Sequence, residues 1–116
     1  MSHDREALRE EFSAADGTFL LEVRMLVWDP IAFSRLEGLM RAACLDLAGQ
    51  DTRERWMVEG FWILSDWLSD WTSHPNFPRP ESVEYYEAAI RRMQDLQYWF
   101  VMGESLYEPD HAWEPL

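Results

Sequence analysis

Glu59, Trp62, Asp66, Ser69 and Asp70 follow one another at steps of three, four, three and one. Steps of three and four put side chains on one side of a helix. The group therefore gathers carboxylates around an indole, opposite an apolar arc of Met57, Gly60, Phe61, Leu64, Trp67, Leu68 and Trp71 that Trp56 and Ile63 widen. A tryptophan is out of place among acids on the outer side of a helix. Packed beneath a neighbouring helix or the C-terminal segment, it would be ordinary core. Left open to water, it has the composition of a hot spot for a basic partner, an aromatic anchor flanked by opposite charge.

Other chemistries fail on residue type. Helical bundles hold metals through Glu-x-x-His pairs facing inward, and no such pair occurs: His3 is near the terminus, His74 is in a proline-rich stretch and His111 is in the final segment. Zinc wants several Cys or His ligands, whereas the one cysteine, Cys44, falls on an apolar helix face and reads as a small core residue. No G-x-S-x-G turn exposes a nucleophile, and Gly17, Gly38, Gly49, Gly60 and Gly103 lie too far apart to cradle a phosphate. With 22 acids, close carboxylate pairs arise by chance and most are solvated surface. No catalytic residue, metal or cofactor is expected, and the chain does not read as an enzyme.

Charge narrows the partner. The net charge is −12, from 22 Asp and Glu against 10 cations, all arginine. Such a chain is repelled by nucleic-acid phosphates and by anionic membranes, so neither is an expected partner. Residues 1–55 hold eleven acids and seven arginines, net −4, and residues 56–116 hold eleven acids and three arginines, net −8. Trp56 to Pro78 contains no Lys or Arg, and the last fourteen residues add Glu104, Glu108, Asp110 and Glu114 unbalanced. A one-signed field steers a cationic protein inward, and the same charge keeps a chain with 7 tryptophans soluble.

The elements that must position these groups are helices. At 116 residues and 13.8 kDa the chain is one domain, and 47% hydrophobic residues are enough for a core. Ser2 reads as an N-cap with Asp4 and Glu6 in the first turn. Leu8, Phe12, Ala15, Phe19, Val23 and Leu26 keep helical phase through Asp16-Gly17, so either one bent helix or two consecutive ones reach Trp28. Asp29-Pro30 opens the next helix, whose face is Phe33, Leu36, Leu39, Met40, Ala43, Cys44 and Leu47, with Gly49 ending it. Asp51 caps a fourth helix that runs to Trp71, and HPNFPRP is an extended connector. A last helix starts at Pro80 to Ser82 and runs to about Leu106, with Arg91 and Arg92 pairing to Glu87 and Asp95. The expectation is an all-α, single-domain antiparallel bundle of four to five helices with an irregular tail over residues 103–116.

On the last helix Tyr98, Trp99, Met102 and Leu106 turn an outer side apolar, so something must cover it: the chain's own tail through Trp113 or Tyr107, or a second copy in a homodimer. No apolar run is long enough to span a bilayer, no leader pattern opens the chain, and one cysteine makes no internal disulfide, so the expected compartment is the cytoplasm. Small acidic helical domains with exposed aromatics resemble, in type, immunity proteins and antitoxins, which cover the cationic surface of a toxin. That reading assigns Glu59, Trp62, Asp66, Ser69, Asp70, Glu104, Glu108 and Asp110 to the partner surface. Two others stand beside it: a DNA-mimic inhibitor with carboxylates in long rows, and a regulatory bundle whose aromatics line a small-ligand pocket.

Overall fold

Helix punctuation in the sequence sets most boundaries in the computed structural model, which describes residues 2–116. The elements are α1 (Ser2–Phe12), α2 (Phe19–Arg24), α3 (Pro30–Asp46), α4 (Arg55–Trp62), a π-helical segment (Ile63–Trp67), α5 (Leu68–Thr72) and α6 (Val83–Met102). With the run 55–72 counted as one interrupted helix there are five, and no strand occurs among the described residues. The fold is all-α. Asp29 caps α3 by accepting from the Ile31 and Ala32 N–H groups at 2.9 and 3.3 Å, with Pro30 in the first turn. Ser82 caps α6 by accepting from the Tyr85 N–H at 3.1 Å.

Several boundaries depart from the sequence reading, each for a local reason. Helix α1 already includes Ser2, which is therefore a helical residue and not the cap that its type suggested. The first two helices are separate, because Ala14 and Gly17 take left-handed φ values of 59° and 81° and Thr18 starts α2 by accepting from the Leu21 N–H. Helix α2 stops at Arg24, four residues short of Trp28, and Leu26 turns the chain with a left-handed φ of 67°, which leaves its side chain exposed. Trp28 thus enters the core from the irregular segment after this turn, stacked on Phe33 and donating its indole N–H to the Tyr85 hydroxyl at 2.9 Å. Asp51 caps nothing. The cap position of α4 is Glu54, whose carboxylate is taken instead by Arg5 and by the Trp56 indole N–H. Helix α6 ends at Met102, where Gly103 at φ 83° donates to the Trp99 carbonyl at 2.9 Å.

Helix α1 packs on α3 and α4, and α6 packs on α3, α4 and the π segment. Phe19, Phe33, Phe61 and Phe100 are enclosed, Phe61 lying face to face with Phe100 at 4.1 Å. Arg92 does not pair along its own helix. It reaches α3, where Glu37 receives Arg92 at 2.8 Å and Arg41 at 2.6 Å, the Glu37 and Arg92 side chains being only 5% and 10% exposed. A second Arg92 nitrogen donates to the Glu114 carbonyl at 2.7 Å, and its guanidinium lies 5.1 Å from the Trp113 ring. Asp95 instead accepts from the Tyr107 hydroxyl at 2.7 Å, a bond that holds this phenol above its ordinary pKa. The tail is therefore a clamp. Trp113 stacks on Trp99 at 5.7 Å, which removes Trp99 from the surface expected to seat a second copy and leaves Tyr98, Met102 and Leu106 exposed.

Glu37→Ala leaves Arg92 buried without its carboxylate and should cost about 3–5 kcal/mol in urea denaturation. Glu37 keeps Arg92 when Arg41, about a third exposed, is changed to Ala, so that variant should lose no more than about 1 kcal/mol.

Candidate functional site

Trp62 is the last residue of α4 and is 54% exposed. Its neighbourhood is built by a close approach of α1 to α4. Gly60 has no side chain, and the Phe12 ring fills that space so closely that a Cβ there would lie 2.1 Å from it. Phe12 meets Phe61 and Trp56 edge-on, at 5.7 and 6.1 Å. Over the Trp56 ring sit the guanidinium groups of Arg9 and Arg5, at 5.3 and 5.5 Å. Arg5 also pairs with Glu54, and together with the Trp56 N–H this holds the Glu54 carboxyl below the usual carboxylate range.

These contacts leave a cleft of about 660 Å³ beside Trp62, whose lining includes Arg9, Phe12, Trp56, Glu59 and, from α6, Gln97. The Gln97 side-chain oxygen is buried and receives no hydrogen bond. Glu59 stands 3.5 Å from Arg55, both well exposed, so water screens the pair and it is readily exchanged. The π segment begins at the cleft wall with Ile63, and there the Leu68 N–H bonds to the Ile63 carbonyl five residues back. One wider turn displaces the register of everything beyond it relative to Trp62.

The expected partner residues consequently divide. Glu59 and Trp62 share the cleft. Asp66 in the π segment and Asp70 in α5 are exposed, and neither has an ion pair among the described residues. Ser69 departs from them: it is half-buried and lines a separate groove of about 300 Å³ between α5 and α6 that includes Arg79 and Arg91. Glu104, Glu108 and Asp110 are exposed on the tail and line neither cleft. Arg9, Phe12, Trp56 and Gln97 were missed by sequence reasoning. A polar amide inside the otherwise apolar stretch from Leu96 to Met102 was the available signal for Gln97.

Elsewhere Cys44 is buried, with its Sγ 3.7 Å from the Leu96 carbonyl, and burial pushes the thiol up to about 12. Among the described residues no group of His, Cys, Asp and Glu is placed to hold a metal ion, and no helix is long and apolar enough to cross a membrane. Comparison with protein-family models, with curated proteins and with solved structures found no match to this chain.

Two measurements follow from this geometry. Gly60→Ala must push the Phe12 ring aside and should lower stability by about 1–3 kcal/mol, whereas Gly38→Ala, which meets nothing within 4 Å inside α3, should raise it by about 0.5–1 kcal/mol. Cys44 should stay unreactive toward a disulfide reagent at pH 8 in native buffer and react fully once the chain is unfolded; equal rates in both states would contradict its enclosure.

Proposed function

We propose that this chain is a small acidic binding protein of the cytoplasm that neutralises a basic protein partner, in the manner of an immunity protein or antitoxin covering the cationic surface of a toxin. The observation that carries this reading is the half-exposed indole of Trp62, with Asp66 and Asp70 open to water and held by no arginine of the chain. An indole at that position can be buried by a partner without first breaking any core contact. The two free carboxylates supply attraction that was not consumed in folding.

The charge ledger supports the same reading. Among the described residues Arg5, Arg35, Arg41 and Arg92 are bonded to carboxylates of the fold, and Arg55 is paired loosely with Glu59. With a net charge of −12, the surplus is carried by acids left facing outward. The exposed Glu104, Glu108 and Asp110 add long-range attraction, which speeds encounter more than it tightens contact. A DNA mimic would need its carboxylates in extended rows, and here Glu11 and Glu37 are withdrawn into buried ion pairs while Glu54 is taken by Arg5 at the surface.

The test is coexpression with the product of the reading frame beside the gene, followed by calorimetry on the purified pair. Trp62→Ala and Asp66→Ala should leave the melting temperature within a few degrees of the parent while together weakening the complex about a hundredfold or more. Raising salt from about 0.05 to about 0.5 M should weaken the parent complex about tenfold. A complex indifferent both to salt and to the double substitution would remove the reading.

A further inference from the structure

We infer that the end of the bundle formed by the turn between α2 and α3 and by the start of α6 is a docking surface for a basic amphipathic helix of a protein partner. Met25, Leu26, Val27, Ile31 and Val83 are between 42% and 79% exposed there. The Trp28 indole donates to the Tyr85 hydroxyl, which ties that turn to the first turn of α6. One apolar side chain in water is ordinary. Three in succession, with Ile31 four residues on and Val83 beside Tyr85's helix turn, make a patch of the kind that marks an interaction site.

The turn is also strained in a way that keeps the patch outside. The Leu26 N–H bonds to the Val23 carbonyl at 3.0 Å and the Val27 N–H to the Glu22 carbonyl at 2.9 Å, the paired helix closure whose left-handed position is usually glycine. Gly17, Gly49 and Gly103 take left-handed φ values near 80°, and Ala14 at 59° carries only a methyl group. Here the residue is a leucine at 67°. Its strained backbone gains the fold no enclosed side chain, and it has a use once a partner covers Leu26.

Charge selects the occupant. Glu22 and Asp29 flank the turn, and Glu81 and Glu84 flank Val83. Burial first, and then the nearby carboxylates of Glu81 and Asp29, hold the Tyr85 phenol above its ordinary pKa, in keeping with both acids standing beside the patch. Glu22, Glu81 and Glu84 have no ion pair among the described residues, and Arg24 is the one cation in these two stretches. An apolar centre with an acidic rim is complementary to an apolar stripe flanked by Lys and Arg. A second copy fits poorly, because a two-fold interface sets the patch against itself and brings like charges together. No strand edge exists among the described residues for a partner to extend, so the stripe is presented by a helix through positions i, i+3 and i+7. Docking here needs nothing of Trp62. Val83 and Gln97, which lines the cleft beside Trp62, are fourteen positions apart on α6, about 21 Å at about 1.5 Å per residue.

The probe is the amphipathic peptide acetyl-KLAKLAKKLAKLAK-amide, titrated into the ¹⁵N-labelled full chain. Saturable shifts centred on Leu26, Val27, Ile31 and Val83 are expected. The counterpart with Glu for every Lys keeps the stripe and reverses the charge, and a shuffled peptide of the first composition keeps the charge and loses the stripe; each should bind about tenfold more weakly. Ile31→Ser and Leu26→Gly should each weaken the first peptide about fivefold or more, whereas Trp62→Ala should leave it unchanged. Leu26→Gly relieves the left-handed leucine, so its melting temperature should not fall, and Ile31→Ser alters a side chain largely in water. No saturation up to about 1 mM, or equal affinity for the three peptides, would overturn the inference. So would a dimer held through Leu26 and Ile31 in sedimentation of the chain alone. Shifts centred on Trp62 and Asp66 would overturn it while leaving the Trp62 reading in place, and failure of that reading leaves the shifts expected at Leu26 and Ile31 unchanged.

Discussion

Glu37 lies almost out of water between the guanidinium groups of Arg41 and Arg92, and the arrangement of α3, α6 and the tail depends on that meeting. Removing two charges from water is costly, and an apolar pair of the same volume would hold the two helices at least as well. An apolar pair would have no second nitrogen to offer. Arg92 uses one to bind the Glu114 carbonyl and turns its face to Trp113, which in turn covers Trp99. One ion pair thus joins the helix packing to the path of the last residues. Tyr107, stacked on His111 at 4.2 Å and donating to Asp95, closes the same segment from its other end.

The second constraint is steric. Gly60 lets Phe12 lie against the backbone of α4, and this brings α1, with Arg5 and Arg9, over Trp56. A helix that continued regularly from there would keep Trp62, Asp66, Ser69 and Asp70 on one strip. The π segment interrupts that strip after Trp62, and Ser69 joins a groove shared with Arg79 and Arg91. Regular α geometry resumes at Leu68, and the Thr72 hydroxyl bonds back to the Leu68 carbonyl at 2.8 Å. The aromatic cleft and the free acids are therefore neighbours along the chain that belong to different turns.

Helical period and end signals were enough to recover the fold class, the start of α3 at Asp29-Pro30 and the apolar face from Phe33 to Cys44, because each depends on residues a turn apart, whereas they left Trp62 open between a covered and an exposed position. What was not legible depends on distant residues. Nothing local to Arg92 says that Glu37, fifty-five positions away, outcompetes Glu87 and Asp95. Asp51 looks like a better cap than Glu54, yet Arg53 organises the connector by donating to the Gln50 and Phe100 carbonyls, and the helix starts later. A π turn leaves no mark in hydrophobic spacing, so the groove that Ser69 shares with Arg79 and Arg91 was not legible. The cleft needed Phe12, Trp56 and Gln97 from three helices, and no single stretch contains them.

Half of the Trp62 indole faces water while Trp28 is almost wholly enclosed, so the tryptophans of this chain are not equivalent as fluorophores. A quencher dissolved in the buffer reaches the first and not the second, and the fold thereby carries its own optical report on whether a change has occurred at its surface or in its interior.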